Sequence, residues 1–129
     1  MYWYVALGAA AGGVARYALT AFLQQRAGPG FPVATLVINI SGSLLLGFLM
    51  RYALASGSVS PELRGLLTTG FCGGYTTFST FSYETILLFE DGEYGRAGFY
   101  VLLSVVIALA CTIAGMKGAD RLLAFRENA

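Results

Sequence analysis

The sequence predicts an all-α membrane protein with four transmembrane helices, of which the third is broken in its middle. Of its 129 residues, 57% are hydrophobic and only 12% are charged, about half the roughly 25% charged share of an average soluble domain. The mean hydropathy is +0.68. A domain of this size needs a polar surface to fold in water, so lipid must surround most of the chain. Intrinsic disorder is excluded, since it requires low hydrophobicity and high charge.

The uncharged stretches of the chain place the four helices. About 20 residues are needed to cross roughly 30 Å of hydrocarbon. Because Ser60 suits a helix N-cap and Pro61 the first helical position, the third helix is expected to begin there. The chain is therefore a single transmembrane domain over residues 1–129, with a polar tail at 118–129 and helices at about 3–25, 33–53, 62–89 and 97–117.

Composition also excludes several classes of function. The net charge is +1 without a basic run, so the chain has no electrostatic footprint for nucleic acid. Histidine is absent, which removes histidine acid–base catalysis and most zinc or iron sites. Cys72 and Cys111 each lie in an apolar run and are expected to be reduced thiols. Enzyme chemistry is not expected.

The basic residues give a modest orientation signal. The side that holds the N-terminus, the second turn and the tail carries Arg51, Arg64, Lys117, Arg121 and Arg126, whereas the opposite side carries Arg26 and Arg96. This bias favours a cytoplasmic N-terminus. Insertion in both orientations remains open.

The third helix departs from a plain membrane span. As one continuous helix, residues 62–89 would be about 42 Å long, well beyond the hydrocarbon thickness. Gly73-Gly74 followed by Thr76-Thr77 favours an unwound turn, with a new helix that starts at Thr76 or Thr77 as its N-cap. Carbonyls freed there can hold a cation, and the following helix N-terminus favours an anion. A glycine kink without a ligand is the alternative.

Polar residues lie at membrane depth in the second and fourth helices. Asn39 offers two amide donors and is either a functional residue or a hydrogen-bonded link between two helices. In the fourth helix Tyr100, Ser104, Ala108 and Thr112 follow at steps of four, so three hydroxyls share one face. These hydroxyls form either a polar path or bonds back to helix carbonyls.

The remaining candidate functional residues are the two charges deepest in the membrane and a pair of phenylalanines. Arg16 and Glu84 lie in apolar runs, where each either snorkels or pairs with the other. Phe78 and Phe81 are three residues apart and share a helix face just after the predicted break. Phenyl rings there usually contact lipid or protein. Their positive edges can alternatively face a small dehydrated anion.

Glycine makes up 17 of the 129 residues, which is almost twice its usual share of roughly 7%. Gly8 with Gly12, and Gly70 with Gly74, form small-xxx-small pairs that let helices approach closely. Four short spans enclose little by themselves, so some of these surfaces are expected to pack against another copy of the chain.

Taken together, these residues resemble the Fluc (CrcB) family of fluoride channels. The resemblance rests on the run GFCGGYTTFSTFS at residues 70–82, followed by Glu84. Asn39 in an Asn-x-x-Gly setting and Gly12-Gly13-x-x-Arg16 match as well. Length, number of spans and order of motifs agree over the whole chain.

The resemblance implies a fluoride-selective channel in the cell (inner or plasma) membrane of a prokaryote that exports cytoplasmic fluoride passively and so confers fluoride resistance. It implies an antiparallel, dual-topology homodimer in membrane lipid with two separate pores. It also implies a central structural Na⁺, held by the main-chain carbonyls of Gly73 and Thr76 from both chains.

The resemblance further assigns roles to side chains. Asn39, Phe78 and Phe81 would coordinate fluoride, with Ser79 and Thr80 as polar neighbours. Arg16 would attract anions at the vestibule, and a polar track would carry over as Tyr100, Ser104 and Thr112. Ala108 stands where a further hydroxyl would be expected on that track.

Physical chemistry is consistent with fluoride as the ion. A fluoride pore must replace tightly held water with donors, yet bind weakly enough to release the ion. Amide, hydroxyl and ring-edge contacts meet both demands. The main alternative is a dual-topology small multidrug transporter, a class that needs an acidic residue in the first helix. This first helix contains Arg16 and no acid. A scaffold subunit without conduction is the third class.

Overall fold

The computed structural model describes residues 1–129, and all of its regular secondary structure is helical. The elements are α1 (Tyr2–Ala27), α2 (Val33–Ser56), α3 (Pro61–Gly65), a π-helical segment (Leu66–Cys72), α4 (Gly73–Tyr75), α5 (Phe78–Glu90) and α6 (Tyr94–Glu127). Three of these helices, α1, α2 and α6, are long and apolar enough to cross a membrane. The chain is thus an all-helical membrane protein.

Two helices extend beyond the ranges expected from hydropathy. α2 ends at Ser56, where Gly57 adopts the left-handed conformation with φ 62° and ψ 0°. α6 continues through the polar tail to Glu127. The tail contains leucine, alanine and arginine, which are strong helix formers, and no proline. Charge ends the apolar stretch there without ending the helix.

The third segment consists of two arms. Helical backbone runs unbroken through α3, the π segment and α4, and we call residues 61–75 the N-terminal arm. We call α5 the C-terminal arm. Ser60 caps the first arm by accepting a hydrogen bond from the Leu63 N–H at 3.2 Å, as the sequence predicted.

The arms are separated by two extended residues, Thr76 (φ −81°, ψ 159°) and Thr77 (φ −151°, ψ 116°), which we call the break. Thr77 caps α5 as predicted, because its side chain accepts from the Thr80 N–H at 3.2 Å. The expectation that Gly73-Gly74 unwinds is wrong, since both glycines are helical. Gly74 instead permits close packing: a Cβ there would lie 2.5 Å from the Ala9 carbonyl oxygen.

Glycine contacts also hold the long helices together. A Cβ at Gly115 would lie 2.1 Å from the Leu44 oxygen, and one at Gly47 would lie 2.3 Å from the Thr112 oxygen, so α2 and α6 touch through their backbones. Gly8 and Gly12 bring α1 equally close to the π segment. Only 20 of 129 residues are buried, and large apolar side chains cover the outer surface.

Candidate functional site

Asn39 joins α2 to the break by two hydrogen bonds. Its Nδ2 donates to the Thr77 carbonyl at 3.0 Å, and its Oδ1 accepts from the Thr77 N–H at 2.8 Å. The Asn39 oxygen therefore replaces the carbonyl that the Thr77 N–H would reach in a continuous helix. One amide N–H of Asn39 remains for another acceptor.

The break deprives the carbonyls of the preceding turn of their helical donors. The Thr77 N–H, which would reach the Gly73 carbonyl in a helix, donates to Asn39 instead. In the same way the Thr80 N–H donates to the Thr77 hydroxyl rather than to the Thr76 carbonyl. Gly73 is exposed, and a Cβ there would meet no atom within 4 Å.

The oxygens of Gly73 and Thr76 are uncharged, hard ligands. Their chemistry fits a monovalent or other hard cation and disfavours zinc or copper. The Gly74 carbonyl has a different partner, because Arg16 Nε donates to it at 3.1 Å. The chemistry of these oxygens thus fits the sodium site that the family resemblance implies, with Gly73 on an open surface.

Two cavities meet at Thr77. The first, which we call the Phe-lined groove, has a volume of about 360 Å³ and includes Asn39, Thr77, Phe78, Phe81 and Ser104 in its lining. Ala108 also lines it. This groove brings together the amide, the ring pair and one hydroxyl of the predicted track.

The second cavity, the Arg16 pocket, has a volume of about 270 Å³, and most of the residues that line it are polar. Its walls include Arg16, Thr20, Thr35, Thr77 and Thr80. A single guanidinium among hydroxyls makes this pocket attractive to anions. Thr80, predicted beside the rings, belongs to this pocket.

The two phenylalanines differ in exposure. Phe81 is 9% exposed, whereas Phe78 is 80% exposed, with ring centroids 5.5 Å apart. Tyr100 packs on Phe81 with centroids 5.1 Å apart, and Phe31 packs on Tyr100 at 5.4 Å. An aromatic row therefore leads from the protein interior to an outer ring at the break.

The hydroxyls of α6 occupy three different environments. Ser104 Oγ is buried in the Phe-lined groove without a hydrogen-bond partner. Thr112 Oγ1 donates to the Ala108 carbonyl at 2.9 Å and lies in an adjoining cavity. The Tyr100 hydroxyl is buried close to Thr35 and Glu84, but neither contact has full hydrogen-bond geometry. Of these three groups, only Ser104 shares a cavity with the phenyl rings.

Other predicted residues lie apart from the groove. Ser79 is exposed, with its hydroxyl 3.3 Å from that of Thr77. Arg16 does not pair with Glu84, whose Oε1 accepts from the Thr35 hydroxyl at 2.5 Å. Sequence reasoning missed Thr35. Its position four residues before Asn39, on the same face of α2, was an available signal.

A second contact that the sequence did not predict holds α2 against the residues next to the break. The Ser41 and Tyr75 hydroxyls are 2.9 Å apart, so α2 is bonded to the last residue of the N-terminal arm as well as to Thr77. A Cβ at Gly42 would lie 2.2 Å from Thr76 Cγ2. Three neighbouring positions on α2 therefore contact three successive residues of the third segment.

The sequence is similar to those of known proteins. A family model described as CrcB-like protein, Camphor Resistance (CrcB), matches residues 3–116. A protein named fluoride-specific ion channel FluC, from Geobacter metallireducens, is 48% identical over 118 residues, which cover 92% of this chain and 95% of the relative. Its namesake from Chlorobaculum tepidum is 51% identical over 111 residues, covering 86% and 87%. That of Agrobacterium fabrum is 44% identical over 112 residues, covering 87% and 90%.

Proposed function

Because the chain belongs to the CrcB family, we infer that it is a fluoride channel and not an enzyme, and that it exports cytoplasmic F⁻ passively. The observation that supports the path is the Phe-lined groove. There an amide, a hydroxyl and two phenyl rings surround one cavity beside a helix break. No arginine or lysine lines this groove.

Fluoride is proposed to move between weak donors in the groove. Asn39 has one amide N–H left after it binds Thr77, and the Ser104 hydroxyl is buried without a partner. The edges of the Phe78 and Phe81 rings carry positive potential. These contacts replace part of the hydration shell without a formal charge, so the ion is held and then released.

The Arg16 pocket is proposed as the vestibule. The contact of Arg16 Nε with the Gly74 carbonyl fixes the side chain and leaves its terminal nitrogens available. A cation in a pocket lined by hydroxyls raises the local anion concentration before the uncharged groove. Ser79 and Thr80 are proposed as polar neighbours of the path, with Tyr100 and Thr112 as further points on the α6 track.

The functional unit is proposed to be an antiparallel, dual-topology homodimer with two pores. Residues 61–90, broken at Thr76-Thr77, would form a fourth span beside the three long helices. The exposed Phe78 ring and the open surface at Gly73 support a second chain at the break. A second copy would cover them and close the groove.

A structural Na⁺ is proposed on the axis of this dimer. The carbonyls of Gly73 and Thr76 from each chain would supply four oxygens, and both have lost their helical donors. Unpaired carbonyls at bilayer depth are costly, which favours a resident cation. Its role would be to neutralise these dipoles and hold the two chains together.

Passive conduction is sufficient for export. In an acidified medium fluoride enters cells as HF, dissociates at the higher internal pH, and accumulates as the anion. A channel in the inner membrane then lets F⁻ leave down its gradient. The named relatives are bacterial, which supports a prokaryotic cell membrane as the location.

Fluoride efflux from liposomes that contain only this protein tests the proposal. We expect fluoride to leave rapidly, with chloride retained. Transport of an organic cation in place of fluoride would support the small multidrug transporter class. Absence of any flux from a folded, reconstituted protein would support a scaffold subunit and refute the channel.

A further inference from the structure

The Phe-lined groove does not end at Ser104. A second cavity, of about 570 Å³, continues along the seam between α2 and α6 and shares Leu46 with the groove. It includes Thr112 and, at the far end of the seam, Arg51. We call this cavity the Arg51 groove.

The two cavities follow one face of each helix. On α2 the lining residues Asn39, Ser43, Leu46 and Met50 recur every three or four positions. On α6 the corresponding positions recur every four residues and are Ser104, Ala108, Thr112 and Met116. From Asn39 to Arg51 the seam is about 18 Å long at 1.5 Å per residue. That length slightly exceeds half of the hydrocarbon thickness of roughly 30 Å.

Unpartnered donors occur along this seam. Three buried side-chain polar atoms in the chain lack a hydrogen-bond partner: Ser104 Oγ, Arg51 Nε and the Tyr100 hydroxyl. Ser104 lines the first cavity and Arg51 lines the second. Because buried donors are normally paired, both positions point to a ligand that accepts hydrogen bonds.

Arg51 also lies close to a carboxylate, without a hydrogen bond to it. The nearest acid is Asp120, whose Oδ1 lies 3.7 Å from Arg51 Nε, too far for a hydrogen bond. The Nε atom itself is buried, but the Arg51 side chain as a whole is 42% exposed, so water or an ion can reach the outer part of the guanidinium. Asp120 therefore neutralises part of the field of Arg51 without satisfying its donor.

We propose that Arg51 forms the second mouth of the anion path, at the opposite end from Arg16, and that Asp120 weakens its attraction for fluoride. This inference rests on the proposed channel function. The ion would pass from the Phe-lined groove over Thr112 to the guanidinium, which binds a hydrated anion before release. One cation would then serve each end, with the uncharged groove between them.

The test is fluoride efflux from liposomes at low ionic strength, at fluoride concentrations well below saturation. We expect Arg51→Gln to reduce the initial rate about fivefold, as loss of one partly screened charge at a pore mouth would. Asp120→Asn should raise the rate about twofold. The double variant should show no rise relative to Arg51→Gln. High salt should shrink both differences.

Arg126→Gln is the matched control. Arg126 lies at the same end of the molecule, donates to the Tyr52 hydroxyl, and lines neither cavity. Its loss removes the same charge from the surface, so an effect equal to that of Arg51→Gln would overturn the proposal. An unchanged rate in Arg51→Gln alone would also overturn it.

The outcomes separate this inference from the channel function itself. A wild-type protein that carries no fluoride refutes the channel, whereas a conducting wild type with an unchanged Arg51→Gln rate refutes only the second mouth. Size-exclusion profiles check that each variant is folded. If Arg51→Gln does not fold, Asp120→Asn decides alone, and a rate equal to that of the wild type counts against the proposal.

Discussion

The α2–α6 pair and the break satisfy the main chain in opposite ways. In α2 and α6 the helical hydrogen bonds are continuous, and the helices meet through Gly47 and Gly115. At the break, side chains supply the bonds: Asn39 and Thr77 bind main-chain groups that a helix would have paired internally. Close packing of backbones at glycine stabilises the first region, and side-chain hydrogen bonds stabilise the second. Main-chain carbonyls lose their helical donors only where the helix is interrupted.

The largest effect should come from the helix pair. Gly115→Ala would place a Cβ 2.1 Å from the Leu44 carbonyl oxygen, which cannot move without displacing α2. We expect a loss of about 3 kcal/mol or more in stability, or no folded protein, measured by thermal unfolding in detergent. Gly118→Ala is the control, because its nearest atom is 3.8 Å away. Equal stability of the two variants would contradict the contact, since alanine is otherwise the better helix former.

At the break, Asn39→Asp should abolish fluoride flux. The carboxylate cannot donate to the Thr77 carbonyl, and it presents negative charge to an anion. Efflux from liposomes should fall to the protein-free level. Asn39→Ala removes the clamp without adding charge and separates the two contributions. Undiminished flux through Asn39→Asp at neutral pH would show that Asn39 only packs.

The phenylalanine pair distinguishes an ion contact from a packing contact. Phe78→Ile and Phe81→Ile should both reduce fluoride flux severalfold while the protein stays folded. Only Phe81→Ile should lower the melting temperature, because Phe81 is 9% exposed and Phe78 is 80% exposed. Wild-type flux in both variants would remove the rings from the path.

Sodium depletion tests whether the freed carbonyls matter. Replacing Na⁺ with a large organic cation should weaken the dimer or reduce its conduction, with Li⁺ or K⁺ substituting poorly. The reason is that Gly73 and Thr76 lack their helical donors. Dimer stability by size exclusion and bound Na⁺ by elemental analysis are the measurements. If stability and conduction are the same in Na⁺ and in the large organic cation, and no Na⁺ is retained, the sodium site is contradicted.

The smallest effect should come from the cap of the C-terminal arm. Thr77→Val keeps the shape of the side chain but cannot accept from the Thr80 N–H, and should cost about 1 kcal/mol. Thr77→Ser should retain the cap. Amide hydrogen exchange at the start of α5 would report the difference. Equal protection in the valine and serine variants would show that the cap contributes little.

The sequence was most informative where one physical signal determined the outcome. Apolar length located the three long helices. Residue type predicted Ser60 as one cap and either Thr76 or Thr77 as the other, and the structure has Ser60 and Thr77. The end of α6 was missed because hydropathy reports where lipid stops, while helix formers such as Leu122 and Leu123 continue the helix. Local rules therefore sufficed to place the N-termini of these helices and the long apolar helices.

Prediction failed where one residue type serves two purposes. Glycine both loosens a helix and lets helices touch, and Gly74 serves the second purpose against Ala9. Arg16 could have paired with Glu84, but in the structure it donates a hydrogen bond to the Gly74 carbonyl, two residues before the break. Such choices depend on which groups the tertiary fold brings together, and sequence spacing does not encode them.

The π-helical segment makes the third span sensitive to chain length. Residues Leu66–Cys72 are separated from the break only by the three residues of α4, and backbone torsions stay helical on both sides of the segment. An α-helix turns about 100° per residue, and a π-helix turns less because its i→i+5 bonds widen each turn; deleting one residue here would therefore change the angular position of the break relative to α1. Thr77 would then face away from Asn39. The segment therefore sets the angular phase of the site, and we expect insertions or deletions within it to be tolerated far less than in the turns at Gly57 or Gly92.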